Sequence, residues 1–292
     1  MIVRMEHVDF NYKGQPIFDN VKWSIENSGI YGLIAPNGFG KTTLLNLMAG
    51  QLLPKKGKIL IHDQPITPKV IFESICFTQD SSVLYDYLSA LDHLLFFCDQ
   101  RKIPRSEIKP VAEFLNITSY YKKKVGSYSL GMKQRTLLAI ALLSKAPILL
   151  LDEPLNGLDP TSTILIREAI AKMAEEGKTV IVSSHNLDEI DKLTNQILFI
   201  KEQKIWLEDL KHYQKQVMKF TVIPKETKRL TAIFQQNSLD YLQDKQSFTL
   251  YLSETSSVEI LNLLIKEGIE IIGFEQWTTG SEQRYKELYE VN

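Results

Sequence analysis

Apolar and polar side chains alternate along the first 25 positions of the chain, which predicts two strands joined by a turn. The alternation covers residues 2–10 and 17–25, and the polar stretch 11–16 separates them. Later in the chain, continuous apolar runs at residues 148–151 and 179–182 are typical of parallel strands buried on both faces. Apolar residues at helical spacing follow such runs and predict helices. Buried strands alternating with helices predict an α/β fold.

A helical insertion interrupts this α/β pattern between about residues 85 and 130. Apolar residues recur at helical spacing over residues 85–98, which predicts a helix there, and a second helix precedes a basic, aromatic connector at residues 120–124. Ser129 then stands where an N-cap is expected, before a helix that runs to Ser144. Pro147 prevents that helix from continuing.

From about residue 209 the pattern changes to a smaller α+β unit. Its order is strand, helix, two strands, helix and strand, followed by a helix over Ser281–Tyr289. This order predicts a ferredoxin-like fold. The unit has no cluster of catalytic residue types in its sequence. We therefore expect a larger domain over residues 1–208, with the insertion at about 85–130, and an accessory domain over residues 209–292.

Composition and charge narrow the possible partners. A chain of 292 residues, 44% hydrophobic and 24% charged, has room for two folded domains. Its net charge of -1 argues against binding of nucleic acid through a basic surface, so we expect no nucleic-acid partner. Its most hydrophobic stretch, residues 137–151, contains Lys145 and Pro147 and is shorter than the about 20 apolar residues that span a bilayer. Any role at a membrane would therefore require a membrane partner.

The strongest chemical signal is the stretch 35–43, Ala-Pro-Asn-Gly-Phe-Gly-Lys-Thr-Thr, between an apolar strand and an apolar helical face. Gly38 and Gly40 allow backbone N–H groups to turn toward a phosphate. Lys41 can reach the outer phosphates, and the hydroxyl of Thr42 can ligate Mg²⁺. Ala35 stands where the strict pattern has glycine, a small change because alanine accepts most backbone geometries outside the left-handed region. The stretch predicts a nucleoside triphosphate site.

Four further side chains lie at the ends of predicted strands, and ligands of open α/β sheets bind at the carboxyl ends of strands. Asp152 and Glu153 follow the buried run 148–151, which places two carboxylates beside the phosphate loop. His185 follows the run 179–182; a lone histidine is more often structural, but this position favours a functional role. Tyr12 ends the first strand, where it could stack on a purine or, as is more common for such a residue, pack on the sheet.

A set of short stretches, in this order, resembles the motifs of one family, the ATP-binding subunits of ABC transporters, and those of bacterial exporters in particular. The matches are residues 35–43 to the Walker A loop, Gln79 to the Q-loop, residues 128–132 to the signature motif, residues 149–153 to Walker B with its following glutamate, residues 155–159 to the D-loop, and His185 to the switch histidine. The resemblance covers about residues 1–207, and its specificity lies in the ordered set. It implies a P-loop ABC-type ATPase cassette with ATP and Mg²⁺ as ligands.

The resemblance also implies a role for each matching residue. Glu153 would accept a proton from, or orient, the attacking water, His185 would contact the γ-phosphate, and Asp159 would serve in the D-loop. The Mg²⁺ ion would be surrounded by Thr42, Asp152 and Gln79, and Gln79 would also count among the catalytic residues. Tyr12 occupies the position of the family's adenine-stacking aromatic. The ATP-binding residues would be Tyr12, Asn37, Gly38, Phe39, Gly40, Lys41, Thr42 and Thr43.

Ser129 and Gly131 would act in trans, because two cassettes of this family enclose two ATP molecules between them. The second nucleotide-binding subunit would be an identical or a related chain. The start of a helix at Ser129 suits a γ-phosphate, since it presents free N–H groups and a positive dipole end. The signature departs from the commoner Leu-Ser-Gly-Gly-Gln at Tyr128, Leu130 and Met132. We expect Leu130 to slow closure or catalysis.

The implied function is ATP hydrolysis that powers a separate membrane permease, at the cytoplasmic face of the membrane. The permease would dock on the insertion and on the groove near Gln79, and the Met-Lys-Gln-Arg continuation at residues 132–135 favours export by analogy. The alternatives are a non-transport ABC-type ATPase in a cytosolic complex and an unrelated P-loop kinase or GTPase. The chain has one cassette and no long coiled coil, which disfavours the non-transport ABC-type ATPase. It has no Asn-Lys-x-Asp motif, which disfavours the unrelated P-loop protein. We also expect removal of the chain after Leu207 to leave ATP binding intact.

Overall fold

The computed structural model describes residues 1–213, 215–252 and 256–289, and within them the chain forms two compact units. The first unit holds Met1–Asp209 together with the described residues from Glu287, and the second holds Leu210–Lys286. The chain therefore passes from the first unit to the second and back again. Its last described residues belong to the unit that also contains the phosphate loop.

The strands of the first unit form two sheets. They are β1 (Val3–Tyr12), β2 (Gln15–Ile25), β3 (Gly29–Ile34), β4 (Lys56–Ile61), β5 (Gln64–Pro65), β6 (Ile75–Thr78), β7 (Ile148–Asp152), β8 (Thr179–Ser183), β9 (Gln196–Lys201) and β10 (Lys204–Asp209). An antiparallel sheet has the order β2-β1-β4-β5, and a larger sheet has the order β10-β9-β3-β8-β7-β6. The larger sheet is parallel except for β10, which pairs antiparallel with β9.

The central strands of the larger sheet are buried, as their apolar runs predict. Every residue of β8 is buried, and so is every residue of β7 before its terminal aspartate. In this parallel register Asp152 lies opposite Ser183, so the carboxyl ends of β7 and β8 meet at one edge. Residues of both sheets, among them Met5 and Ile181, share one hydrophobic core with α1 (Lys41–Met48). This core holds the helix that follows the phosphate loop against the sheet.

The remaining helices of the first unit are α2 (Pro68–Ser74), α3 (Ala90–Arg101), α4 (Ile108–Phe114), α5 (Leu130–Leu143), α6 (Pro160–Glu175) and α7 (Leu187–Asp191). The predicted start of α5 at the Ser129 cap is confirmed. The predicted start of α3 at residue 85 is wrong, because Ser89 and Asp92 form a capping box that begins the helix at Ala90. None of the helices in the described part of the chain has the length and hydrophobicity needed to cross a bilayer.

The second unit has the predicted order of elements, β11 (Gln216–Val222), α8 (Thr227–Gln236), β12 (Tyr241–Asp244), β13 (Ser247–Leu252), α9 (Ser257–Lys266), β14 (Ile271–Thr278) and α10 (Ser281–Tyr289). Its antiparallel sheet has the order β12-β13-β11-β14. The first strand thus lies between the third and the fourth, which is the ferredoxin-like arrangement. Phe220, Phe234 and Phe248 are fully buried in its own core. The helix α10 begins in the second unit and ends in the first.

Candidate nucleotide-binding site

The phosphate loop between β3 and α1 depends on two glycines with left-handed backbones. Gly38 has a φ of 84° and Gly40, the N-cap of α1, has a φ of 104°. A Cβ atom on Gly40 would lie 2.7 Å from the Cγ2 atom of Ile17, so space as well as conformation requires glycine there. Ala35 is buried and is not among the residues with positive φ, which agrees with its replacing a glycine at little cost.

Lys41 is buried at the start of α1, with 8% of its surface exposed. Its Nζ donates a hydrogen bond of 2.7 Å to the carbonyl oxygen of Ala35. Burial lowers the pKa of the Lys41 ammonium, and the carboxylates of Glu153 and Asp152 oppose that shift. A buried ammonium that is poorly compensated favours a polyanion that can supply further negative charge.

Asp152 connects the phosphate loop to the ends of β7 and β8. Its Oδ2 accepts a hydrogen bond of 3.0 Å from Thr42, and its Oδ1 accepts one of 2.5 Å from Ser183. The hydroxyl of Ser183 in turn accepts a bond of 2.9 Å from the backbone N–H of Glu153. A hydroxyl and a carboxylate in contact are oxygen donors of the kind that Mg²⁺ prefers. Sequence reasoning missed Ser183, although its place at the end of a buried strand was available as a signal.

Glu153 and His185 lie side by side, with 2.9 Å between Glu153 Oε2 and His185 Nδ1. The histidine ring is more exposed than the carboxylate, with side-chain exposures of 55% and 26%. Glu153 has a φ of 51°, a left-handed conformation that costs a non-glycine residue about 1–2 kcal/mol. Such strain at a carboxylate in a polar cleft is typical of a functional position.

A cleft of about 610 Å³ brings most of the predicted residues together. Of the predicted set, it is lined by Tyr12, Asn37, Gly38, Gly40, Lys41, Thr42, Thr43, Asp152, Glu153 and His185. Its other lining residues are Pro36 and Asn156, which lie in the stretches matched to the Walker A loop and the D-loop, and Gln15 and Ile17, which sequence reasoning did not assign to the site. Gln15 reaches the cleft because the hairpin register pairs it with Tyr12. The Tyr12 ring is 46% exposed and packs edge to face on Phe10, with ring centroids 4.9 Å apart.

Two of the residues predicted to bind ATP or Mg²⁺ within one chain, Gln79 and Phe39, do not line this cleft. The Nε2 of Gln79 donates to Asn46 Oδ1 and to Gln51 Oε1, both at 3.1 Å, so its amide contacts residues at and just beyond the end of α1. Phe39 packs edge to face against Tyr289, with 5.7 Å between ring centroids. Tyr289 belongs to the last described residues of the chain, and no local sequence signal connects it with the phosphate loop.

Ser129, Gly131 and Asp159 lie in a separate cluster, outside the lining of the cleft. Ser129 Oγ accepts a hydrogen bond of 3.3 Å from the N–H of Met132 and caps α5. Asp159 caps α6 and accepts bonds from the N–H and the hydroxyl of Ser162, which lower the pKa of its carboxyl group. A Cβ atom on Gly131 would lie 3.1 Å from Ser162 Oγ, so the two helix starts pack closely.

Comparison with known proteins agrees with this geometry. The family model for the ABC transporter matches residues 18–156. The chain is 30% identical to the uncharacterized ABC transporter ATP-binding protein YhcH of Bacillus subtilis (strain 168), covering 98% of this chain and 95% of that protein. It is 33% identical to the lantibiotic transport ATP-binding protein SrtF of Streptococcus pyogenes, covering 71% of this chain and 90% of SrtF.

A solved structure supports the same assignment. The cbiO1 protein from Clostridium perfringens, part of the ABC transporter complex cbiONQ, superposes with a TM-score of 0.64 at 27% identity, over 73% of this chain and 90% of cbiO1. The sequence therefore agrees with those of ABC transporter ATP-binding proteins, and the fold agrees with that of a solved ABC transporter protein. The chain belongs to the family of ABC transporter ATP-binding proteins, and it is an ATPase whose hydrolysis of ATP powers transport.

Proposed function

We propose that the cleft binds ATP with Mg²⁺ and that Glu153 and His185 carry out hydrolysis within it. One observation supports this assignment above all: the phosphate-loop lysine, two carboxylates and a histidine line one polar cleft at the carboxyl ends of the parallel strands. Lys41 and the loop N–H groups would hold the phosphates, and Tyr12 would stack on the adenine ring.

Thr42 and Asp152 are the residues that would hold the metal ion. Their oxygens already lie 3.0 Å apart, and the second oxygen of Asp152 is oriented by Ser183. The bound Mg²⁺ would neutralise charge on the phosphate oxygens during transfer. Gln79 would join this shell only after its amide leaves Asn46 and Gln51, so we propose that it enters on nucleotide binding.

Glu153 would act as the base in hydrolysis. Water attacks the γ-phosphorus, the bond from that phosphorus to the β–γ bridging oxygen breaks, and Glu153 accepts the proton that the water loses. The products are ADP and inorganic phosphate. His185 lies beside Glu153 and would hold the carboxylate in position while contacting the γ-phosphate.

The cleft of one chain would be completed by the signature residues of a second cassette. Ser129 and Gly131 lie at the N-terminus of α5, outside the cleft of their own chain, and the leading N–H groups there suit a γ-phosphate. Asp159 stabilises the neighbouring start of α6 and would support the same surface. The dimer would therefore have two composite ATP sites.

A mixing experiment tests the composite site. Lys41→Ala removes the phosphate contact of one half-site, and Ser129→Asp places a negative charge where the γ-phosphate of the partner's ATP would lie. Aspartate is also a good N-cap, so the helix should remain stable, and unchanged thermal unfolding of Ser129→Asp is the control. Each variant alone should show no ATPase activity above background.

Mixing equal amounts of the two variants should restore about a quarter of the wild-type rate. Half of the dimers would then be mixed, and each mixed dimer has one complete site. Ser129→Asp protein that hydrolyses ATP at the wild-type rate would contradict a role for Ser129 in trans. An inactive mixture that nevertheless forms dimers with ATP would contradict independent composite sites.

We further propose a membrane permease as the partner and a peripheral position at the cytoplasmic face of the membrane. Exposed aromatic side chains on and before α3, namely Tyr85, Tyr87 and Phe96, suit an apolar docking contact. Residues 1–208 would form the engine, with the insertion at about 85–130 as the docking region and residues 209–292 as the accessory domain. The relative SrtF is a lantibiotic transport protein by name, and export is the direction that we propose for this chain.

A further inference from the structure

The hydroxyl of Tyr289, in the last described turn of the chain, contacts the two strands that lead into the ATP site. Its hydroxyl donates a hydrogen bond of 2.7 Å to the carbonyl oxygen of Ile200 in β9. The same hydroxyl lies 3.5 Å from the carbonyl oxygen of Ile34, the last residue of β3. Because β3 and β9 are parallel neighbours, one phenol hydroxyl spans two adjacent strands immediately before the phosphate loop begins.

The ring of Tyr289 contacts the phosphate loop itself. It meets the ring of Phe39 at an interplanar angle of 88°, the edge-to-face arrangement that aromatic pairs favour. Phe39 lies between Gly38 and Gly40, which have the left-handed φ values of the loop. Glycines make a loop costly to order, so an aromatic contact on the residue between them restricts the loop before ATP arrives.

The path of the chain links this contact to the second unit. The helix that carries Tyr289 starts at Ser281, and residues 281–286 belong to the second unit whereas Tyr289 belongs to the first. A truncation before this helix therefore also removes Tyr289 and its contact with Phe39.

We propose that Tyr289 is a positioning residue for the phosphate loop, and that its contacts with Phe39, Ile200 and Ile34 raise the affinity of the site for ATP. This proposal rests on the ATP site proposed above. It reverses our expectation about truncation: removal of the chain after Leu207 also removes Tyr289 and should weaken ATP binding.

The test is a double-mutant cycle on ATP affinity in the full chain, measured by titration with fluorescent ATP. Tyr289→Ala and Phe39→Leu should each raise the Kd for ATP about three- to tenfold, as expected for the loss of one well-packed aromatic pair. The double variant should be no weaker than the weaker single variant, since both changes remove the same contact. Tyr289→Phe keeps the ring and should retain most of the affinity. Tyr251→Ala, at an exposed tyrosine of β13, is the matched control and should bind as wild type does.

Thermal unfolding without nucleotide separates positioning from a purely structural role. A structural role would lower the unfolding temperature of Tyr289→Ala and leave the Kd at low temperature unchanged, which would overturn the proposal. Fully additive effects of the two changes would overturn it as well. If Tyr289→Ala fails to fold, Tyr289→Leu decides by the same criteria. Lys41→Ala serves as the reference for the ATP site itself. If Lys41→Ala protein binds ATP with wild-type affinity, the ATP site is contradicted. If Lys41→Ala weakens ATP binding but the Tyr289 variants bind ATP as wild type does, only the positioning role of Tyr289 is contradicted.

Discussion

Glu153→Gln should lower the rate of ATP hydrolysis by about 10²- to 10⁴-fold, the usual contribution of a general base. Glutamine has nearly the shape of glutamate and should retain the backbone hydrogen bond from residue 153 to Ser183. It cannot accept a proton at neutral pH, so water is left without its base. Single-turnover measurement of phosphate formation in the quenched reaction gives the rate, since it isolates chemistry from product release.

The same substitution should leave ATP binding intact and accumulate a dimer. Hydrolysis is the step that would reopen two cassettes closed around ATP, so blocking it should trap the closed form, visible as a doubled mass in light scattering with ATP and Mg²⁺. Glu175→Gln, at the exposed end of α6, is the matched control and should remain fully active. Normal turnover in Glu153→Gln would remove Glu153 from the catalytic role.

Lys41→Ala should weaken ATP binding by at least about tenfold, because a hydrogen bond to a charged group contributes about 1.5–3 kcal/mol. The nucleotide-free protein should lose little stability. The ammonium is buried, and its burial has a desolvation cost that alanine does not have. Equilibrium titration and thermal unfolding of the same sample measure the two effects. Lys69→Ala, an exposed lysine of α2 that pairs with Glu73, is the control for loss of a positive charge.

The lowered pKa of Lys41 adds a pH dependence to this prediction. Bound phosphates favour the protonated lysine, so ATP binding should take up a proton once the pH exceeds the pKa of Lys41 in the free protein. That pKa lies below the ordinary value of 10.5, and affinity should therefore begin to fall in the alkaline range before 10.5 is reached. Lys41→Ala protein should lack this fall. An identical alkaline fall in both proteins would assign it to another group.

Much of the site follows from local sequence. The glycines at 38 and 40 show where the backbone is left-handed, and the apolar run before Asp152 shows that two carboxylates follow a buried strand. Gln79 illustrates the limit: its place in the motif set is plain, but its amide contacts Asn46 and Gln51, and no local pattern could indicate those partners. The start of α3 was misplaced for a similar reason, because helical spacing over 85–98 does not reveal which polar residue caps the helix.

Local sequence is enough to predict the α/β fold, the ferredoxin-like unit and the phosphate loop, because apolar periodicity and glycine geometry act over a few neighbouring residues. The tertiary fold alone brings Asp152 to Thr42 from 110 positions away and Tyr289 to Ile34 across 255 positions. Such contacts depend on how the sheets and the last described helix pack. The local sequence around a polar or aromatic side chain is the same whether or not a distant residue contacts it, so these contacts cannot be predicted from local sequence. Tyr289, in a stretch that has no motif, therefore lies against Phe39 of the phosphate loop.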